Sequence, residues 1–230
     1  MKTAQDIPTR SLSIVMMGAT GAVGQEVVKS LVNSTDIEKI TLLGRKIIPS
    51  LPSSLVAQHI IDVSIPTTYQ EYVANHRVAI CTLGVGEPSK TGKENFIKID
   101  KVAVIDFAKA CKQAGIEHFE LLASVGISAT SASFYLRTKG ELVNELKTLN
   151  FERLSIFKPS MILTPSNRYG LSQAITLRVW PWLKPILLGS FRKYRGIKVA
   201  DLGSAIALNI SEDNRGYEEL VWDDFERLSS

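Results

Sequence analysis

Tyr135 and Lys139 stand four residues apart, and Ser124 lies a short way before them. On a helix this spacing puts the phenol and the ammonium on one face, a turn apart. Ser124 follows the apolar run Phe119 to Ala123, which reads as a strand. A hydroxyl at a strand end, a phenol and an ammonium suit transfer of a hydride to a carbonyl carbon. Tyr135 would donate the proton to the developing alkoxide, and the Lys139 ammonium favours the phenolate left behind. Ser124 would polarise the carbonyl, and Lys139 would also hold a cofactor ribose. Ser124, Tyr135 and Lys139 are therefore the candidate catalytic residues. A solvated helix face can show the same YxxxK spacing, so the surrounding elements decide its meaning.

The hydride donor is read near the start of the chain. Gly18-Ala19-Thr20-Gly21-Ala22-Val23-Gly24 follows the strand-like run Leu12 to Met17 and precedes the helix-like run Gln25 to Val32. A strand that enters a helix through such a turn aims free N–H groups and the positive end of the helix dipole at one point, which suits a pyrophosphate. The three glycines serve a tight turn, a close approach to phosphate and close helix–strand packing. Gly18, Thr20, Gly21, Ala22, Val23 and Gly24 are candidate cofactor contacts. In such folds the end of the second strand reads the adenosine ribose, and here it is Leu43-Gly44-Arg45-Lys46. Asp36 and Glu38 precede that strand and fall at its far end. A guanidinium at Arg45, helped by Lys46, suits the extra phosphate, so NADP(H) is favoured over NAD(H). Asp62, after the third strand, either accepts from the adenine amine or only makes a turn.

These residues need a frame, and the chain alternates strand-like and helix-like segments to provide one. Further strands are read at Lys39–Leu43, Val56–Ile61, Val78–Leu83, Phe119–Ala123, Arg153–Phe157 and Glu219–Trp222. Helices are read at Tyr69–Asn75, Lys93–Ala114, Phe134–Leu149 and Ala200–Ile210. Near-continuous apolar strands between amphipathic helices imply an α/β fold, a doubly wound parallel sheet of the Rossmann type. The reading is one domain over residues 1–230, with about 160–230 forming the lid and substrate side. Leu171 to Leu188, broken by Pro181 and Pro185 around Trp182, is either core over the sheet edge or an exposed apolar surface. The basic cluster Arg192 to Lys198 is either a solvated loop or an anion contact.

Composition removes several classes. With 45% hydrophobic and 22% charged residues and a net charge of +4, the chain is an ordinary globular one. No apolar run nears the ~18 residues that span a bilayer, and the polar start carries no signal-peptide core. Cys81 and Cys111, with no CxxC and no histidine cluster, argue against a disulfide framework or a metal site. A reducing, cytoplasmic setting is expected. No nucleic-acid-binding signature is present.

The motifs also carry a resemblance. GATGAVG, LGR, Cys81-Thr82-Leu83-Gly84, Ser124, Tyr135 to Glu141 and Lys158-Pro159-Ser160 fall in the order of an atypical short-chain dehydrogenase/reductase. HFELLAS, FYLRTKGELVNEL and FERLSIFKPSMIL are similar to the Tat-interacting-protein (CC3) group of oxidoreductase-like proteins. The resemblance implies an NADP-binding Rossmann domain with Ser124, Tyr135 and Lys139 at the catalytic positions. It also implies Gly84, with Leu83 before it, beneath the cofactor, and the backbone after Pro159 beside the nicotinamide. Classical members carry an asparagine on the helix after the fourth strand, where this chain offers only Asn95, which falls early. The leading expectation is an NADPH-dependent reductase of a carbonyl compound. The alternative is a non-catalytic NADPH-binding regulator acting through a protein partner. A dimer is possible, since classical relatives pair through helices beside the catalytic one. GATGAVGQE also resembles the opening of aspartate-semialdehyde dehydrogenases, which need a cysteine nucleophile and a much larger second domain. Extended epimerases and dehydratases are set aside on the same ground of length.

Overall fold

Ile14, Val15, Met16 and Met17 are all fully buried, so both faces of this run are covered. The interior of a parallel sheet with helices on both sides gives that pattern. The run is β1 (Leu12–Met17) in a computed structural model that describes residues 11–85, 91–164 and 188–229. β2 (Ile37–Gly44), β3 (Val56–Ile60), β4 (Val78–Cys81), β5 (His118–Leu122), β6 (Arg153–Phe157) and β9 (Gly216–Leu220) join it. The order is β3-β2-β1-β4-β5-β6-β9, and every pairing is parallel. This is the doubly wound Rossmann architecture, in a single domain. Because β1 has β2 on one side and β4 on the other, the strand order reverses there, and ligands gather at the carboxyl ends of the strands at such a point.

α1 (Ala22–Val32), α5 (Val199–Asn209) and α6 (Trp222–Ser229) cover one face. Val27, Leu31, Leu202, Ile206 and Phe225 pack there against Ile14, Met16 and Ile80. α1 and α5 lie close, since a Cβ on Gly203 would come within 2.4 Å of the Glu26 Cβ. The other face is covered by α3 (Ala103–Gln113) and α4 (Phe134–Thr148), through Val104, Phe107, Leu142 and Leu146. A small parallel pair, β7 (Met161–Leu163) with β8 (Gly196–Lys198), stands apart from the main sheet. In the stretch after residue 160, β9 completes the sheet edge, α5 packs on α1, and Met161 and Ile162 of β7 line the cleft described below. The proline-broken segment lies outside the described residues, apart from Leu188, which is exposed.

Three elements differ from the sequence reading. The helix read over Lys93–Ala114 is α2 (Lys93–Ile97), a π turn (Lys98–Val102) and then α3. Tyr69–Asn75 is not an α-helix; two 3-10 turns, Pro66–Thr68 and Gln70–Tyr72, take its place, and Asn75 breaks the path at φ 64°. The last strand ends at Leu220, and Trp222 opens α6 instead. Trp222, Phe225 and Leu228 are buried at helical spacing, and Asp224 caps the turn by accepting from the Val221 N–H at 2.9 Å.

Between β5, β6, β9 and α5 the core holds a polar network. Glu120 is fully buried, with Oε1 accepting from Asn209 Nδ2 at 2.7 Å and Oε2 without a partner. Arg153 donates to Asn209 Oδ1 and to Glu218 Oε1, both at 2.8 Å. Burial pushes the Glu120 carboxyl from 4.5 up to about 8, against the opposing pull of Asn209 and Arg153. Burial, then Arg153, pushes the His118 imidazole down to about 3, so the two face each other at 3.6 Å as neutral groups. The folded chain keeps the Glu120 proton while the unfolded chain releases it above 4.5, so the contribution of Glu120 to stability falls as pH rises from there to about 8. Glu120→Gln copies the protonated form. Urea unfolding should show the variant as the more stable protein above pH 8, and the two nearly equal at pH 4.5. Identical pH profiles would mean that Glu120 is ionised in the folded chain.

Candidate active site

The glycine turn is built for a group that approaches the backbone. Gly18 has φ +97°, and a Cβ there would sit 2.6 Å from the Leu83 nitrogen. Thr82 Oγ1 donates to the Gly18 carbonyl at 3.1 Å, which locks the turn onto the end of β4. Gly21 donates to the same carbonyl at 3.0 Å and forms the N-cap of α1. No side chain caps that end and no acid lies in its first turn. The N–H groups of Ala22, Val23 and Gly24 thus have no acceptor within the helix. An uncapped, dipole-positive helix end over a turn without side-chain bulk fits a pyrophosphate.

Two cavities meet at this point. The smaller, of about 220 Å³, is lined by the turn from Gly18 to Gly21, by Leu42 to Lys46, and by Ile48, Gln58, Val63 and Thr82 to Gly84. Gln58 fixes its wall, accepting from the Ile48 N–H at 2.8 Å and donating back to the Ile48 carbonyl at 2.9 Å. Among the described residues that line it there is no carboxylate, and neither Arg45 nor Lys46 makes an ion pair. Asp36 lines a separate cavity at the opposite end of the sheet. Asp62 stays outside the small cavity, where its carboxylate accepts from the Ser64 N–H at 2.8 Å and makes a turn.

The larger cavity, of about 580 Å³, shares Gly21, Thr82, Leu83 and Gly84 with the first. Ser124, Tyr135, Lys139 and Pro159 all line it. Ser124 is held where β5 and β6 emerge: Ala123 donates to the Phe157 carbonyl at 2.8 Å and Val125 to the Pro159 carbonyl at 3.0 Å. Its own hydroxyl makes only a long 3.4 Å bond to the Val125 carbonyl. Tyr135 sits in the first turn of α4, and its ring packs on Phe96 with centroids 5.5 Å apart. α4 is pressed against the preceding loop, since a Cβ on Gly140 would fall 2.3 Å from the Ser128 carbonyl carbon. Cys81 is buried at the end of β4, and burial pushes its thiol up to about 11, away from the thiolate form that a nucleophile uses.

Lys139 is committed to a residue that the sequence reading missed. Its Nζ lies 2.8 Å from Asp100 Oδ1, with both side chains 5% exposed. Asp100 Oδ2 accepts from the Val85 N–H at 2.9 Å. Asn95, the asparagine considered from the sequence, is exposed on α2 and does not line the cleft. The signal for Asp100 was available. Phe96, Asp100, Ala103 and Phe107 share one helical stripe, and an acid on an apolar stripe is seldom buried without a partner.

The family model described as NAD(P)H-binding matches residues 18–149, from the glycine turn to the end of α4. The chain belongs to the NAD(P)H-binding family. This NAD(P)H-binding protein is 30% identical to Protein HTATIP2 of Rattus norvegicus over 165 residues, or 71% of this chain and 68% of that protein. It is 29% identical to "Protein FMP52, mitochondrial" of Candida albicans over 206 residues, or 87% and 88% of the two chains. The likeness to the Tat-interacting-protein group of atypical short-chain dehydrogenases/reductases is thus borne out. Among solved structures, MoeE5 in complex with UDP-glucuronic acid and NAD superposes with a TM-score of 0.68 at 19% identity, covering 90% of this chain and 75% of that one. The UDP-glucose 4-epimerase of Thermotoga maritima gives 0.69 at 12% identity, covering 91% and 77%. At such identities the likeness is one of fold. No helix among the described residues is long and apolar enough to cross a membrane.

Proposed function

We propose that this NAD(P)H-binding protein reduces a small or medium carbonyl compound with NADPH. The observation that carries the reading is that Ser124, Tyr135 and Lys139 line the cavity that also holds the uncapped end of α1. The turn from Gly18 to Gly24 would hold the pyrophosphate, Gly84 would lie beneath the dinucleotide, and Pro159 would border the nicotinamide. When bound, the cofactor supplies the hydride. Ser124 would donate a hydrogen bond to the substrate carbonyl oxygen. Tyr135 would give its phenolic proton to that oxygen as the carbonyl carbon gained the hydride, and the C–O bond would be kept in the alcohol product. Lys139 would hold the ribose hydroxyls and offset the charge left on the phenolate.

NADPH is favoured over NADH because Arg45 and Lys46 line the ribose end without acidic partners. A fluorescence titration with both nucleotides tests this. Arg45→Ala should weaken NADPH binding by about tenfold, the worth of one charge-assisted phosphate contact, and leave NADH unchanged. An equal loss for both would assign Arg45 no role at the phosphate, and failure of the wild type to bind either would end the cofactor reading. A screen of carbonyl compounds for NADPH consumption then tests the reaction.

A second reading, a regulator that binds NADPH and acts through a protein partner, draws on one observation. Lys139 is paired with Asp100, and Tyr135 has no polar partner among the described residues. Bound NADPH with no consumption across the screen would favour it. The buried free thiols of Cys81 and Cys111 suit a reducing compartment such as the cytoplasm, while the yeast relatives carry a mitochondrial name.

A further inference from the structure

Among the described residues that line the larger cavity, Asp100 is the only acid and Lys139 the only cation. Asp100 is 3% exposed and sits in the π turn between α2 and α3. Such turns are rare, occur mostly as single turns inside α-helices and are frequent at functional sites. Here the turn presents a carboxylate with both oxygens in use. Oδ1 meets the Lys139 ammonium at 2.8 Å and Oδ2 takes the Val85 N–H at 2.9 Å. A Cβ on Gly84 would lie 3.1 Å from Oδ1, so the carboxylate reaches up to the floor on which a dinucleotide would rest. Next along the turn, Lys101 pairs with Glu141 at 2.9 Å and Glu145 at 3.6 Å, which fixes the turn against α4.

We propose that Asp100 is a positioning residue for the cofactor: its carboxylate joins the Lys139 ammonium and the backbone at Val85 into one unit. An ammonium carries three N–H donors. With one given to Asp100, the others are aimed from a fixed point at the nicotinamide ribose. An asparagine would not serve. It has one acceptor oxygen for two donors, and its amide N–H group would face either the ammonium or the Val85 N–H. The inference rests on the reading above that Lys139 contacts the cofactor.

The test is a double-mutant cycle on NADPH affinity with the wild type, Asp100→Asn, Lys139→Met and the double variant. Circular dichroism confirms that each is folded at the assay temperature. Lys139→Met should bind about tenfold more weakly, and Asp100→Asn about as weakly, because each loses the aimed ammonium. The double variant should bind no more weakly than Lys139→Met alone. A role confined to stability would lower the unfolding midpoint without this non-additive pattern. Additive losses, or unchanged affinity in Asp100→Asn, would overturn the proposal and leave the reading of Lys139 standing. Unchanged affinity in Lys139→Met would overturn both. If Asp100→Asn alone does not fold, its buried ammonium having lost its counter-ion, the double variant compared with Lys139→Met decides. A weaker double variant overturns the proposal.

Discussion

Tyr135→Phe is expected to lower turnover of a reducible carbonyl by about 10²- to 10⁴-fold, the usual worth of a positioned acid, and to leave NADPH affinity unchanged. The change removes one oxygen. The ring keeps its packing on Phe96 at 5.5 Å, and Tyr135 makes no polar contact among the described residues. The groups assigned to the cofactor are the glycine turn, Arg45 and Lys139, none of which leans on the phenol. Without the phenol the developing alkoxide must take its proton from water, and the Lys139 ammonium is already bonded to Asp100. Steady-state kcat on any substrate found in the screen, with NADPH titration beside it, separates the two effects. A variant that turns over at the wild-type rate would remove Tyr135 from the chemistry. Loss of cofactor binding would show instead that the ring organises the site.

Gly24→Ala should cost the second large effect, loss of nucleotide binding together with about 3 kcal/mol of stability. A Cβ at this position would lie 2.2 Å from the Gly18 carbonyl oxygen and 2.9 Å from the Ala19 Cα. Both are backbone atoms of the turn, so no side chain can rotate aside. Either α1 lifts from β1 or the turn opens, and each moves the free N–H groups away from the cleft. α1 also packs on α5 through Glu26 beside Gly203 and a 3.1 Å contact between the Ser30 and Ser204 hydroxyls, so it cannot slide freely. Urea unfolding and NADPH titration on the same preparation give both numbers. Wild-type values for both would mean that the helix and strand tolerate more separation than this contact implies.

Much of this site is legible in the residues because the constraints on it are local. A turn that needs φ +97° at Gly18 and no Cβ at Gly24 leaves only glycine, and it leaves a visible pattern. Ser124, Tyr135 and Lys139 come together because strand ends of a doubly wound sheet open on one edge. The misses have other causes. Trp222 reads as the end of a strand because Leu220, Val221 and Trp222 are apolar in sequence, yet its partners Phe225 and Leu228 follow at helical spacing. The π turn was invisible because a single wide turn leaves the apolar stripe of Phe96, Ala103 and Phe107 nearly intact. β7 and β8 are three residues each, and no period can be read in so short a run. Glu120 reads as one polar residue in an apolar strand, and its hydrogen-bond partner Asn209 lies 89 residues further along the chain.

The parallel sheet also dictates an order of assembly. Gly18 and Thr82 directly follow strands that become neighbours only when β1 pairs with β4, Ile14 beside Val78. That pairing closes a long loop holding two further strands, so its entropy must be met before any of its contacts form. The nucleotide floor, which straddles this seam, therefore does not exist in a half-folded chain. A ligand that needs the finished seam cannot template its making. Bound dinucleotide is therefore expected to slow unfolding and to leave the folding rate unchanged, which unfolding and refolding kinetics with and without NADPH would show.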